Sequence, residues 1–198
     1  MESQKIYILF YKPYGVLSQF TKEHGHQALC DYGPFPKNIY PAGRLDVDSE
    51  GLLLLTNDNT TKHFFTSPAF EHPKTYLVQV EGIPQTSDLS KLEKGVLIDG
   101  KRTRPSTVRL LEKEPMVPPR SIPIRFRKSI PTSWIEIIIH EGRNRQIRKM
   151  TASIGFPTLR ILRTAITYLT LNGLKPGDHR QLSTDEIAEL TTYLSSQS

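Results

Sequence analysis

The chain predicts an α+β fold organised around a mixed, mostly antiparallel central sheet with flanking helices and loops. Three observations carry that prediction. Segments with strand character outnumber those with helical character. The helical segments are scattered, without the strict β–α alternation that a parallel sheet needs. No internal repeat, low-complexity tract or heptad pattern interrupts the picture.

Each element has its own warrant. "KIYILFY" (residues 5–11) is a strand stopped by "KPYG". "GLLLLTND" (51–58) buries as a strand because its leucines leave no polar face. "TKHFFTSP" is a short helix ended by Pro68. "KTYLVQVEG" alternates with period two from Thr75 to Val80, and Gly82 and Pro84 then turn the chain. "TSDLSKLEKG" is a capped helix with Gly95 as its stop. "STVRLLEK" and "SWIEIIIH" are strands, the second rich in β-branched residues. "GRNRQIRKMTASIG" is a turn entering a helix that Gly155 ends, and "TLRILRTAITYLTL" is a strand or strand pair. "STDEIAELTTYL" opens with a capping box, Ser183 with Glu186, and forms the last helix.

Between the two strands lies "EPMVPPRSIPIRFRKSIPTS", with five prolines in twenty residues (Pro115, Pro118, Pro119, Pro123, Pro131). No regular element survives that density of missing amide donors. Arg120, Arg125, Arg127 and Lys128 make residues 112–132 a positive arm suited to gripping nucleic acid. An insertion without a role is the alternative.

With 198 residues the chain is expected to form one domain over residues 1–198, two sub-lobes sharing one sheet. No apolar stretch approaches the roughly 18 residues that cross a bilayer, so no membrane partner is expected. The N-terminus lacks a secretory signal, and the single cysteine, Cys30, excludes an internal disulfide. A reducing, cytoplasmic setting follows. The net charge is +6 and unevenly spread: residues 101–180 carry 17 Lys and Arg against 5 acids. Arginine outnumbers lysine there, which favours phosphate and base contacts over mere solubility.

Against that basic half stands "GRLDVDSEGLLLLTND" (43–58), with Asp46, Asp48 and Glu50 within five residues. A calcium loop fails, because its twelfth position requires a bidentate acid and Asn57 stands there. A glycosidase-like acid pair needs two distinct environments, and nothing supplies the acid with an apolar pocket. In the remaining reading one acid is chemical and the others are structural. Asp48 and Ser49 turn the chain, the leucines hold the loop rigid, and Arg44, Leu45 and Asp46 form the working end.

This stretch resembles the second motif of the pseudouridine synthases of the RsuA group, whose catalytic aspartate lies in "GRLD". "YKPYGVLSQF" (11–20) resembles the group's first motif, and "KTYLVQVEG" the segment with its active-site tyrosine. "EGRNRQIRKMTASIGFPTLRILR" resembles its third motif and adjoining strand. The four blocks run in the family's order. Most members also carry an N-terminal S4-type RNA-binding domain; only ten residues precede the first motif here, so the resemblance is to the branch without an S4 domain.

The resemblance implies an RNA isomerase acting on one uridine of large-subunit (23S) ribosomal RNA, near the peptidyl transferase centre. Asp46 is then the catalytic carboxylate, Tyr76 the ring beneath the target uracil, and Arg148 the cation paired with the carboxylate. Arg44 fills the gap left by the base or touches a flanking phosphate, and Ile147 packs against the base or beneath Asp46. Arg143, Asn144, Arg145, Arg125, Arg127 and Lys128 are the further substrate-binding residues, and without an S4 domain RNA recognition is expected to rest also on Arg120, Lys149, Arg160 and Arg163 at the surface. The reaction leaves net composition unchanged, so no cofactor is expected. The chain offers no P-loop, no dinucleotide fingerprint and no metal cluster. Attack on the sugar, addition to the base and a glycal route all need the same charged carboxylate. A monomer is the default state. Two rivals remain: a non-catalytic ribosomal RNA-binding module, and a paralogue modifying a different uridine.

Overall fold

The leucine run behaves as its composition requires: all seven residues of the strand Glu50–Thr56 are buried. The computed structural model describes residues 4–124 and 129–196. In chain order the elements begin with strands β1 (Tyr7–Lys12), β2 (Val16–Leu17), β3 (Gln27–Ala28), β4 (Tyr40–Pro41) and β5 (Glu50–Thr56), then helix α1 (Asn59–Thr66). Next come β6 (Lys74–Glu81), α2 (Thr86–Glu93), β7 (Leu97–Ile98), β8 (Lys101–Arg102), β9 (Thr107–Leu110) and β10 (Thr132–Ile139). The chain ends with α3 (Gln146–Ser153), β11 (Thr158–Ile166), β12 (Leu169–Thr170), β13 (His179–Gln181) and α4 (Thr184–Ser195). Contacts divide it into two units, residues 1–70 with 169–198, and residues 71–168.

In the first unit β1 lies between β13 and β5, antiparallel to both, with Phe10 opposite His179 and Leu53. β4 adds antiparallel to β5, while β2 and β3 form a short parallel pair. Alternate residues of β1 and β5 build one core from Ile8, Phe10, Leu53 and Leu55 with Leu29 and Ile39. Phe10, Tyr32, Phe35 and Phe20 close it through edge-on ring contacts at 5.5 to 6.2 Å, the arrangement that ring quadrupoles favour. Asp58 caps α1 by accepting from the Thr60 amide at 3.1 Å, and its second oxygen takes the Thr61 and Tyr7 hydroxyls.

In the second unit the strand order is β11–β6–β10–β9, all antiparallel. β6 keeps the alternation read from its sequence, burying Tyr76, Val78 and Val80. Helix α2 ends where Gly95 takes a φ of +81°, and a Cβ there would meet the Thr103 carbonyl at 2.3 Å. Both facts require glycine. The hairpin β7–β8 follows. Described residues of the proline-rich arm, up to 124, hold no helix or strand after β9, as its composition predicts. The fold is thus α+β with a mixed, mostly antiparallel sheet.

Candidate active site

The loop carrying Asp46 is built by two motifs acting together. Asp46 is half-buried and Arg44 exposed. The buried hydroxyl of Ser18 donates to the Leu45 carbonyl at 2.8 Å and accepts from the Leu45 amide at 3.0 Å. On the other side of Asp46, the Gly15 amide donates to the Val47 carbonyl at 2.8 Å. The Ser49 amide closes a turn by donating to the Asp46 carbonyl at 3.0 Å. The backbone on both flanks of the carboxylate is therefore fixed by the first motif, with the buried strand β5 starting four residues later.

That first motif is itself braced. Lys12 ends β1 fully buried, and its ammonium donates to the carbonyls of Val16 at 2.6 Å and Pro13 at 3.0 Å. A buried charge needs such acceptors. Gly15, at φ +83°, lets the intervening turn form.

In the second unit Tyr76 is 7% exposed on β6, opposite Ile137 of β10 and Arg163 of β11. Arg148 is half-buried on α3 and donates toward the Thr158 carbonyl at 3.5 Å, where β11 begins. A hydroxyl pair, Thr151 with Thr158 at 2.7 Å, ties the same two elements. Ile147 is buried beside Arg148.

The loop leading into α3 is a network that residue types alone did not reveal. The buried Gln146 amide donates to Glu141 at 2.7 Å, and its oxygen accepts from the Arg143 backbone at 2.9 Å. Arg143 holds Glu141 through Nε at 3.1 Å and donates to the carbonyls of Lys101 at 3.1 Å and Arg102 at 2.6 Å. Its guanidinium thus staples the β7–β8 hairpin. Asn144 and Arg145 remain exposed, Arg145 at φ +51°, a conformation rare for a residue with a Cβ. Lys149 pairs with Asp99 at 2.5 Å.

Arg160 and Arg163 depart from the surface role expected of them: they are 5% and 3% exposed. Arg160 donates to the Pro118 carbonyl at 2.8 Å and lies 6.0 Å from the Trp134 ring centre, fastening the arm to the sheet. Arg125, Arg127 and Lys128 lie outside the described residues. Ser18, Lys12, Glu141 and Gln146 were not singled out from sequence. Their only signal was membership of the two motif blocks.

Comparison with known proteins adds an independent line. The sequence signature of the RNA pseudouridylate synthase family matches residues 6–153. The chain is 52% identical over 87% of its length to ribosomal large subunit pseudouridine synthase E of Xanthomonas campestris, covering 93% of that protein. It is 49% identical over 92% of its length to the protein of the same name from Vibrio parahaemolyticus, covering 75% of it. A solved structure titled as a pseudouridylate synthase superposes with a TM-score of 0.76 at 26% identity, covering 94% of this chain and 74% of that one. With the motif blocks in order and the fold matching over nearly the whole chain, this protein belongs to the RNA pseudouridylate synthase family, within its RsuA group.

Proposed function

We propose that this chain converts one uridine of large-subunit (23S) ribosomal RNA to pseudouridine, near the peptidyl transferase centre, as a cytoplasmic monomer without a cofactor. The observation that carries the proposal is the framing of Asp46, with hydrogen bonds from Ser18 and Gly15 on either side of it. A carboxylate used only for charge needs no such frame, whereas one that must meet a sugar carbon does. The names of the relatives support the RNA class.

In the reaction the N1 glycosidic bond breaks, the uracil turns, and C5 joins the sugar; the C5 proton leaves and N1 takes one up. Asp46 supplies the ionised carboxylate that the sugar or base meets, and Arg148 the fixed positive charge that offsets its desolvation. The target base leaves its stack at a cost of a few kcal/mol. Stacking on Tyr76 returns roughly 1–3 kcal/mol of it. Arg44, exposed two residues before Asp46, takes the space the base vacates or a flanking phosphate. Asn144, Arg145 and the arm residues Arg125, Arg127 and Lys128 hold the surrounding RNA.

The test is to incubate unmodified 23S transcript with the protein and map pseudouridine by carbodiimide treatment and primer extension. One new stop near the peptidyl transferase centre is expected. A stop elsewhere in the large subunit, or in 16S transcript alone, overturns the assignment of the uridine; no stop in either overturns the activity.

A further inference from the structure

One cation of the second unit is held in a way that its own fold does not explain. Lys74 opens β6, half-buried, and its ammonium donates to the His72 carbonyl at 3.1 Å. Among the described residues it has no carboxylate partner. Burial, and then the positive charge of Arg163, push its pKa down from the ordinary 10.5 to about 8. A lysine drawn out of water is normally matched by an acid or several acceptors. Here one carbonyl serves, and a second cation stands near.

The position of Lys74 indicates what completes the set. Residues two apart on a strand share a face, so Lys74 and Tyr76 point to the same side of β6. At about 3.3 Å per residue they stand roughly 6.6 Å apart along the strand, comparable with the span from a nucleobase to the phosphate of its own nucleotide. Arg163 stands directly opposite Tyr76 in register, so the second positive charge belongs to the same patch. A ring bounded by positive charge, one of them a compact ammonium with donors to spare, matches a base followed by its phosphodiester. We propose that Lys74 binds a phosphodiester oxygen of the RNA, adjacent to the nucleotide whose base stacks on Tyr76. The proposal builds on the role of Tyr76 given above. The ammonium then gains a charge-assisted hydrogen bond, and the repulsion between the two cations is neutralised.

The experiment compares the native protein with Lys74→Met, Lys74→Arg and Lys74→Gln on C5-tritiated 23S transcript. KM and kcat are taken from tritium release, and affinity from filter binding of the same transcript between 50 and 200 mM salt. Lys74→Met is expected to raise KM about tenfold, with kcat within about twofold of native. It should flatten the plot of log affinity against log salt by roughly 0.7 to 0.9, the loss of one phosphate contact. Lys74→Arg should restore the slope. Lys74→Gln removes the charge while keeping a flexible polar side chain with N–H donors, so it reports the slope even where the methionine variant folds poorly. An unchanged slope in the methionine and glutamine variants overturns the proposal. So does a fall in kcat at unchanged KM, which places Lys74 on the reacting base instead. If the native protein releases no tritium, the synthase assignment fails, while the slopes from filter binding still decide the phosphate contact.

Discussion

Asp46 lies two residues after the exposed Arg44 and three before the buried Ser49, in a loop too irregular for any periodic pattern to describe. Its candidacy rests on "GRLD" within the longer motif, and on the elimination of calcium and paired-acid chemistry. Ser18 was not legible. A single serine 27 residues upstream carries no sequence signal of bracketing Leu45 from both sides. The bracket still makes a definite claim about catalysis. Two hydrogen bonds to a buried hydroxyl contribute on the order of 1 kcal/mol each. If they hold Asp46 in its reactive position, Ser18→Ala should lower kcat about tenfold, at roughly 1.4 kcal/mol per factor of ten, with KM and RNA affinity near native. A rise in KM with kcat intact would show that the bracket shapes the RNA surface instead. Arg160 and Arg163 teach the opposite lesson. Read as basic residues they belong on a surface, yet on β11 both are buried; for Arg160 the Pro118 carbonyl and the Trp134 ring take the place of water.

At the scale of elements, long patterned segments were read well. β5 is buried throughout as its leucines demand, β6 alternates, and α2 and α4 end and begin where glycine and capping signals place them. The two-residue strands β4, β7 and β8 and the three-residue β13 were not foreseen. Such pieces are too short to show a period and exist because a neighbour offers a register. The start of α4 gives a prediction with a sign. Ser183 accepts from the Glu186 amide at 3.2 Å, and Glu186 returns a bond to the Ser183 amide at 2.8 Å. Arg180 grips both Glu186 oxygens at 2.7 Å, and chiefly for that reason the Glu186 carboxyl falls from 4.5 to about 2. A depressed carboxyl stabilises the fold above its unfolded pKa and loses that effect as pH falls through the folded value. Glu186→Gln keeps the capping box and removes the charge. In urea unfolding the native protein should exceed this variant by less than about 1 kcal/mol, since solvent screens the pair. That margin should be full above about pH 4.5 and vanish as pH approaches 2. A margin that is constant across this range would mean that the ion pair contributes nothing.

At the scale of the whole molecule, the charge asymmetry seen along the sequence follows the two units. Residues 71–168 carry 18 Lys and Arg against 9 acids, and the rest of the chain 8 against 11. The basic unit contains Tyr76, Arg148 and Lys74, while the acidic one presents Asp46 on its braced loop. Under the proposed function, this division separates the basic charge assigned to RNA from the carboxylate cluster assigned to chemistry, placing them on different parts of the sequence. Composition suggests the first assignment, and the motif resemblance alone suggests the second. The fold class followed from strand count and the lack of β–α alternation, while the boundaries of the two units, at residues 71 and 168, depend on contacts between distant segments that no local pattern encodes.

The most direct test of the central claim is tritium release from C5-labelled uridine in 23S transcript, comparing the native protein with Asp46→Asn, which removes the charge and keeps the shape. Release by the native protein and none by the variant, with RNA binding retained by both, is the predicted result. Equal release by both, or none by either despite tight binding, would contradict a synthase that works through Asp46.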